Sequence, residues 1–570
     1  MSKKRQAYPP VFPEIEDWSI YKMHQDRKAF VEEIDEHVFE LLLEKHGNNI
    51  DDLIAKTLYL ERIRMKREPW KVDPADERPF WKQIGKELIK KSLDREDSVA
   101  RSTNERLLKS IIHRYSEEIV GTFNKSTFLF ARRFLTNFFS RMLNTVQGRF
   151  WGIRYRLYDR LQAHGEVEHV RSLMTKGTVV VVPTHFSNLD SILIGYVLDG
   201  IAGLPAFTYG AGLNLLNSGI VAYFINRLGA YRVDRRKKNP IYLETLKSMS
   251  MLSTKRGVNS IFFPGGTRSR SGALETKLKL GLLGTIVEAQ RANLQAGKDE
   301  KIFVVPMVLG YHFVLEAKYL IEQHLRQTGK EMYLRAKDRS NSIRKFLQFA
   351  GTLFSTSNDI VVAFGKPMDV VGNFVDEEGN SIGTNGQKVE IADYFKRYSD
   401  EQVNRDPQRE SVYTRRLGDR ILERFFADNI VLSSHLVAFA AFNLLRYENT
   451  STDLYGLLRL PHEDIVFSRQ KLEIILQQLQ SALFQMRDAG QIKLSEVISK
   501  DIDSILEDGI KRLGSYHADQ PLKINKKEEI ISQSFPLLYF YHNRLENYGL
   551  AQRIDWAVVF GKEEVVTEDI

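Results

Sequence analysis

Residues 179–190 read VVVVPTHFSNLD, and the organisation of the chain follows from this stretch. Four consecutive valines and a proline predict a short buried strand that ends abruptly, and the polar residues after it begin a helix. His185 therefore lies just beyond the carboxyl end of a strand, where binding crevices form in open α/β sheets. We expect Asp190 in the first turn of the helix, with Ser187 or Asn188 as its N-cap.

The pairing of His185 with Asp190 suits general-base chemistry. The carboxylate would hold one ring nitrogen and leave the other as a proton acceptor. The spacing alone is weak evidence, because His46 and Asp51 repeat it within a helical pattern that no strand precedes. A lone histidine more often has a structural role, so the case for His185 depends on the motifs at other strand ends.

Composition limits the classes to which the protein can belong. The 570 residues are enough for two or three domains, and 43% hydrophobic content is normal for a folded chain. The 82 basic and 73 acidic residues give a net charge of +9, which favours a membrane surface, nucleic acid or a phosphorylated substrate. Without cysteine, disulfides and thiolate metal sites are excluded. We expect neither a signal peptide nor a membrane-spanning helix, since no uncharged apolar run reaches about 18 residues.

Three regions follow from the pattern along the chain. Residues 1–165 read as helical and charged, and one clear helix ends at Gly47. Residues 166–371 alternate short apolar strands with helices, which predicts an α/β domain. Residues 372–570 start with a glycine-rich loop and become mainly helical. The predicted strands are Thr178–Pro183, Pro205–Tyr209, Ala230–Val233, Ser260–Pro264, Ile302–Val308 and Ile360–Phe364.

A basic and aromatic segment, residues 119–158, stands out in the first region because it contains no Asp or Glu. Its basic residues are Lys125, Arg132, Arg133, Arg141, Arg149, Arg154 and Arg156, with phenylalanines between them. A helix of this composition suits docking onto anionic lipid headgroups. The alternative is a helical face that packs on the next domain while its arginines are solvated.

Two further motifs follow predicted strands. RLGAYRVDRRKKNP, residues 227–240, places Arg235 and Arg236 at the carboxyl end of a strand, and the planar arginine fork suits phosphate oxygens. SIFFPGGTRSRSGAL, residues 260–274, combines a glycine pair that exposes backbone amides with nearby arginines, which suits a phosphate or a developing oxyanion. The alternatives are a solvated basic loop for the first and a structural glycine turn for the second.

A fourth motif, IFVVPMVLGYHF, residues 302–313, predicts a buried strand broken by Pro306. We expect its role to be mostly architectural.

In this order the motifs resemble the four sequence blocks of the glycerolipid acyltransferase superfamily. The similar stretches are HFSNLD (185–190), GAYRVDR (229–235), FPGGTRSRSG (263–272) and VVPMVLGYHFVLEA (304–317). AGLNLLNSGI (211–220) and GYHFVLEA (310–317) resemble the glycerol-3-phosphate and dihydroxyacetone-phosphate branch more than the lysophosphatidate branch. The chain departs from the family at Gly265, where block III usually has a glutamate associated with substrate binding or with positioning nearby arginines.

The resemblance implies a central mixed sheet flanked by helices, with helical N- and C-terminal regions. It also implies transfer of a fatty acyl group from acyl-CoA or acyl-carrier protein to the hydroxyl of glycerol-3-phosphate in phospholipid biosynthesis. His185 would be the general base and Asp190 would orient it. The implied substrate-binding residues are Arg235, Gly266, Thr267, Arg268 and Arg270. No metal or cofactor is expected.

Several alternatives stay open. Lysophosphatidate and dihydroxyacetone phosphate are other possible acceptors. Gly265 raises the possibility of a catalytically weak phospholipid-binding homologue, and the charge raises that of nucleic-acid binding, although no nucleic-acid motif accompanies it. Because the acyl chain and the product belong in a bilayer, we expect a peripheral or monotopic protein on the cytoplasmic face of a membrane, docked through residues 119–158.

Overall fold

The computed structural model describes most of the chain. The described residues are 7–67, 69–70, 73–91, 97–144, 161–212, 219–327, 360–396, 402–461, 465–515 and 517–561.

In the part of the chain that the structure describes, seven strands form a central sheet in the order β1-β7-β6-β2-β5-β3-β4. The strands are β1 (Leu161–Gly165), β2 (Gly177–Pro183), β3 (Thr208–Gly212), β4 (Ala230–Val233), β5 (Ser260–Ile261), β6 (Lys301–Tyr311) and β7 (Ile360–Phe364). The five strands from β2 to β6 pair in parallel, whereas β7 runs antiparallel to β6. The expected mixed α/β sheet is therefore confirmed.

The valine run forms the middle of β2, which lies between β5 and β6. All four valines are completely buried. A strand covered on both faces requires a continuous apolar sequence rather than alternation, and this explains the run.

The predicted strands differ from the observed ones mainly at their ends. β3 starts at Thr208 rather than Pro205, a residue that cannot donate a ladder hydrogen bond. β5 stops at Ile261 because the chain then turns toward the polar loop, and β6 extends to Tyr311. The edge strand β1 was not predicted from its short, partly polar sequence, and it lies before residue 166, where we expected the α/β domain to start.

Among the described residues, six helices precede the sheet, and Gly47 is the C-cap of α2, as predicted. They are α1 (Ser19–Gln25), α2 (Arg27–His46), α3 (Ile50–Arg67), α4 (Glu77–Lys91), α5 (Asp97–Ile119) and α6 (Lys125–Asn144). Of the basic segment 119–158, α6 is described, whereas residues 145–158 lie outside the described residues. Residues 213–218 of the AGLNLLNSGI stretch also lie outside them.

Within the described ranges, six further helices connect and flank the strands. They are α7 (Val167–Leu173), α8 (Asp190–Tyr196), α9 (Gly219–Ile225), α10 (Pro240–Lys255), α11 (Leu280–Gln295) and α12 (Ala317–Gln327). The helix α10 begins at Pro240, and the side chain of Asn239 caps it by accepting the N–H of Tyr242. Helices α2 and α5 pack against α10, so the N-terminal helices cover one side of the sheet domain.

The C-terminal region is mainly helical, as expected. Its helices are α13 (Pro407–Ala427), α14 (Ser433–Glu448), α15 (Leu454–Leu457), α16 (Arg469–Asp488), α17 (Ile502–Arg512), α18 (Phe535–His542) and α19 (Trp556–Phe560). The short strands are β8 (Phe374–Val375), β9 (Ser381–Ile382), β10 (Lys388–Val389), β11 (Ile430–Val431), β12 (Val466–Phe467), β13 (Lys493–Leu494), β14 (Lys523–Ile524) and β15 (Ile530–Ile531). Strands β8 to β10 form a small antiparallel sheet where a loop was predicted. None of the helices in the described ranges has the length and apolar content needed to cross a bilayer.

Candidate active site

His185 and Asp190 meet at the carboxyl end of β2. Nδ1 of His185 lies 2.8 Å from Oδ2 of Asp190, whose side chain is fully buried. Oδ2 also accepts the backbone N–H groups of Phe186 and Ser187, at 2.7 and 2.9 Å, and the hydroxyl of Tyr311 donates to Oδ1 at 2.6 Å. These donors orient the carboxylate toward the imidazole. With Nδ1 donating to Asp190, Nε2 is left as the acceptor that a general base requires.

The expected N-cap of α8 is wrong. The helix begins at Asp190 itself, and neither Ser187 nor Asn188 caps it with a side chain. The hydroxyl of Ser187 donates instead to Oε2 of Glu316 at 2.9 Å, and the N–H of Asn188 donates to Oε1 of Glu316 at 3.1 Å. A buried carboxylate from the segment after β6 thus holds the turn that precedes the helix.

Residues 263–275, here called the glycine–arginine loop, hold the main chain of His185. The N–H of His185 donates to Oε1 of Glu275 at 3.1 Å, and its carbonyl accepts the N–H of Ser269 at 2.7 Å. The ring of Phe263 stacks on the imidazole, with ring centroids 4.0 Å apart. The glycine–arginine loop therefore holds both the backbone and the imidazole ring of His185.

A cavity of about 510 Å³ opens beside His185 at the carboxyl edge of the parallel strands. Arg235, which follows β4, and Arg268, from the glycine–arginine loop, line the same cavity. The sequence motifs predicted this convergence, because the carboxyl ends of parallel strands share one edge of a sheet.

The opposite wall of the cavity comes from the N-terminal helices. Leu60, Ile63, Arg67 and Trp70 line it. Sequence reasoning missed this contribution, since α3 reads as an ordinary amphipathic helix with a basic end.

Arg235 is a cation without a protein counterion in the described part of the chain. Its side chain is open to the cavity, and the surrounding protein displaces water from it. This desolvation lowers the pKa of Arg235, and the charges of Arg268 and Arg270 lower it further. Positive groups that repel one another across a cavity favour a bound anion.

Arg268 has a partial partner in Glu316. Nη1 of Arg268 lies 3.2 Å from Oε1 of Glu316, which is buried. Burial raises the pKa of Glu316, and the charge of Arg268 opposes that shift. Tyr311 and Glu316 both lie in the motif that we expected to be architectural, so this motif also contributes polar groups to the site.

The other predicted residues of the glycine–arginine loop do not line the cavity. Gly266, at φ 76°, donates its N–H to the carbonyl of Phe263 at 3.0 Å, so this amide already has an acceptor. Thr267 and Arg270 are also absent from the lining, although Arg270 acts electrostatically on Arg235.

Arg236, next to Arg235, is fixed by protein carboxylates. Its guanidinium contacts Asp73, and Nη2 also donates to Oδ2 of Asp234 at 2.8 Å. The guanidinium lies 4.6 Å from the ring centre of Trp70. The neighbouring Lys237 is buried and contacts Glu118. These pairs attach the N-terminal helices to the loop after β4 and hold α3 over the cavity.

The second His–Asp pair, at His46 and Asp51, lies at the junction of α2 and α3 and away from any strand. Across the described ranges, no group of three or more His, Asp or Glu side chains could hold a metal ion.

Residues 162–310 match a family model described as Acyltransferase. The chain is similar to the glycerol-3-phosphate acyltransferase of Ectopseudomonas mendocina (strain ymp), with 29% identity over 239 residues, 42% of this chain and 26% of the relative. The enzyme of that name from Pseudomonas fluorescens (strain Pf0-1) is 26% identical over 307 residues, 54% of this chain and 33% of the relative. The chain thus spans about a quarter to a third of the length of the curated relatives that it matches.

Proposed function

We propose that this chain, a member of the glycerolipid acyltransferase superfamily, transfers a fatty acyl group from acyl-CoA or acyl-carrier protein to the hydroxyl of glycerol-3-phosphate. The observation that carries the proposal is the shared cavity of His185, Arg235 and Arg268. A base and two cations around one small space suit an acceptor that has both a hydroxyl and a phosphate.

His185 acts as the general base in this mechanism. Nε2 takes the proton of the acceptor hydroxyl as the hydroxyl oxygen attacks the thioester carbonyl carbon. The tetrahedral intermediate then collapses, the C–S bond breaks, and the imidazolium returns the proton to the leaving thiolate. Asp190 holds Nδ1–H throughout and stabilises the imidazolium. General-base assistance of this kind contributes about 10²–10⁴-fold in rate.

Arg235 and Arg268 bind the acceptor phosphate. A phosphate between them relieves their mutual repulsion and gives Arg235 the counterion that the described residues do not supply. Arg270 lies outside the cavity lining and contributes through its charge alone.

Lysophosphatidate is a second candidate acceptor, because the wall from the N-terminal region includes apolar side chains. Leu60, Ile63 and the indole of Trp70 face the space beside His185. This wall suits an acyl chain, whether the chain arrives on the thioester or on the acceptor.

An acceptor panel tests the proposal. The purified full chain is incubated with labelled acyl-CoA and, separately, with glycerol-3-phosphate, dihydroxyacetone phosphate or lysophosphatidate. We expect glycerol-3-phosphate to give the highest kcat/KM and the His185→Ala variant to lose transfer while keeping its fold. Wild-type rates equal to those of His185→Ala with every acceptor would overturn the proposal.

We also propose that an exposed aromatic surface places the enzyme on a bilayer. The surface consists of Leu129, Phe130 and Phe134 on α6 with Tyr223 on α9, and these side chains are 42, 58, 52 and 49% exposed. The ring of Phe130 on α6 stacks on that of Phe224 on α9. The guanidinium of Arg227 lies 4.1 Å from the ring centre of Tyr223, and the exposed Arg133 directly precedes Phe134 in the sequence. Apolar side chains rimmed by cations suit an anionic membrane.

The position of this surface connects it to the active site. Thr136 of α6 lies 3.4 Å from the hydroxyl of Tyr196, on the helix that starts at Asp190. Arg132 of α6 lies 3.2 Å from Asp199, just beyond the end of that helix. A bilayer under α6 would therefore lie near the helix that follows His185.

Vesicle co-sedimentation tests the docking surface. We expect binding to vesicles with anionic lipid, weakened by salt because such attraction is screened. Replacing Phe130 and Phe134 by Ser should reduce the bound fraction at least about fivefold, since each loses apolar burial. Tyr59→Ser, an equally exposed aromatic change on α3, is the matched control and should bind normally. Equal binding by all three proteins would contradict the assignment.

A further inference from the structure

Gly265 occupies a position where space, rather than backbone conformation, restricts a side chain. Its φ is outside the left-handed region, in contrast to the φ of 76° at Gly266. A Cβ atom at Gly265 would lie 3.0 Å from Cγ and 3.1 Å from Oε1 of Glu275. The side chain of Glu275 therefore fills the space into which a residue at 265 would project.

The glycine–arginine loop folds back on itself to bring Glu275 there. The N–H of Lys279, four residues after the loop, donates to the carbonyl of Pro264 at 2.8 Å, so the chain that follows the loop returns to its beginning. From this position Oε1 of Glu275 accepts the N–H of His185 at 3.1 Å. A single carboxylate thus contacts the main chain of the general base and covers Gly265.

The two carboxylate oxygens of Glu275 differ in their hydrogen bonding. Oε2 is buried and has no hydrogen-bond partner among the described residues. Burial raises the pKa of Glu275 to about 7, which the hydrogen bond from His185 opposes. The charge of Arg544 also opposes the shift, whereas that of Asp190 adds to it.

We propose that Glu275 is a positioning residue that holds the main chain of His185, and that position 265 is glycine because the Glu275 carboxylate occupies the side-chain space there. The chain thereby has an acidic group next to position 265 although block III lacks its usual glutamate. The catalytic consequence rests on the proposed function. The hydrogen bond to His185 does not depend on it.

Variants at Gly265 and Glu275, made singly and together, test whether the effects of the two positions on kcat depend on each other. Glu275→Ala removes the acceptor for the His185 N–H, and we expect kcat to fall about tenfold, the effect of one buried hydrogen bond, with KM for the acceptor within about twofold. Glu275→Gln keeps an acceptor oxygen and should retain most of kcat. Thr276→Ala, at an exposed neighbour, is the control and should behave as wild type.

Gly265→Ala adds a Cβ that crowds the Glu275 side chain and displaces it by a few tenths of an ångström, so we expect kcat to fall, but by no more than in Glu275→Ala. In the Glu275→Ala background the space is empty, and adding Ala at 265 should then have no further effect. Multiplicative losses in the double variant, or a Glu275→Ala variant with wild-type kcat, would overturn the proposal.

Hydrogen exchange separates this inference from the proposed function. In peptides covering residues 184–187, Glu275→Ala should convert one slowly exchanging amide to fast exchange, whereas Glu275→Gln and Thr276→Ala should not. If the wild type transfers no acyl group, the proposed function fails, and the exchange pattern still decides the role of Glu275. Unchanged exchange in folded Glu275→Ala would refute it.

Discussion

Replacing Arg235 and Arg236 one at a time should separate substrate binding from structure. The two residues are adjacent, but Arg235 lines the cavity without an ion pair in the described chain, whereas Arg236 contacts Asp73 and Asp234. Loss of a charge-assisted hydrogen bond costs about 1.5–3 kcal/mol. At about 1.4 kcal/mol for each factor of ten, Arg235→Ala should raise KM for glycerol-3-phosphate about 10- to 150-fold.

The same substitution should leave the fold intact. Arg235 is surrounded by Arg268 and Arg270, so removing it relieves repulsion between cations. Arg236→Ala instead leaves the buried carboxylate of Asp234 without its ion pair, a change that typically costs about 3–5 kcal/mol. We therefore expect the midpoint of thermal unfolding to fall for Arg236→Ala and to stay near wild type for Arg235→Ala.

Initial rates against glycerol-3-phosphate concentration, at saturating acyl-CoA, measure the first effect, and differential scanning fluorimetry measures the second. An unchanged KM in Arg235→Ala would refute the assignment of this residue to the acceptor phosphate. A similar loss of thermal stability in both variants would also refute it, because it would give the two arginines the same structural role.

Asp190→Asn should lower kcat at least about 100-fold, as measured by steady-state rates, because it weakens the orientation of the base; near-normal turnover would contradict the mechanism. Tyr311→Phe removes the donor to Oδ1 of Asp190 and should lower kcat about 5- to 20-fold with little change in KM, whereas a change confined to KM would argue against this role. Burial, and then the charge of Arg27, lowers the pKa of His24 to about 4 in the folded protein. Because the unfolded chain binds a proton at this residue more readily, the folded state loses stability as the pH falls from about 6.5 toward 4. His24→Leu should therefore raise the thermal midpoint more at about pH 5 than at about pH 8, and an equal shift at both values would exclude this source of acid sensitivity.

The sequence was sufficient to predict the edge of the sheet at which the site forms. The sequence itself marks the end of a strand, as it does after the valine run before His185 and after the short strand before Arg235. Parallel pairing of these strands then brings the residues at their carboxyl ends to one edge of the sheet. The distinction between Arg235 and Arg236 was not accessible, because it depends on Asp73, which is 163 positions away in the chain.

Two acidic residues of the site were missed for a related reason. Glu275 reaches His185 only because its loop folds back, and Glu316 reaches Ser187 across the end of β6. Each is an unremarkable glutamate in its own segment, and neither spacing nor periodicity indicates which main-chain N–H groups it will meet. Such roles come from tertiary structure alone.

The attachment of α3 and α4 to the loop after β4 has a consequence for modularity. Arg236, besides its pair with Asp234, contacts Asp73 in the segment between α3 and α4, and Lys237 contacts Glu118 on α5. Trp70, in the same segment as Asp73, supplies part of the cavity wall. A sheet domain transplanted without this N-terminal region would leave the buried Lys237 without Glu118 and Arg236 with Asp234 as its remaining carboxylate, and the cavity beside His185 would lose part of its wall. The catalytic unit that can be inherited, exchanged or engineered as one piece therefore includes the helical layer, and a chimera would need both acidic residues to be carried across with the sheet.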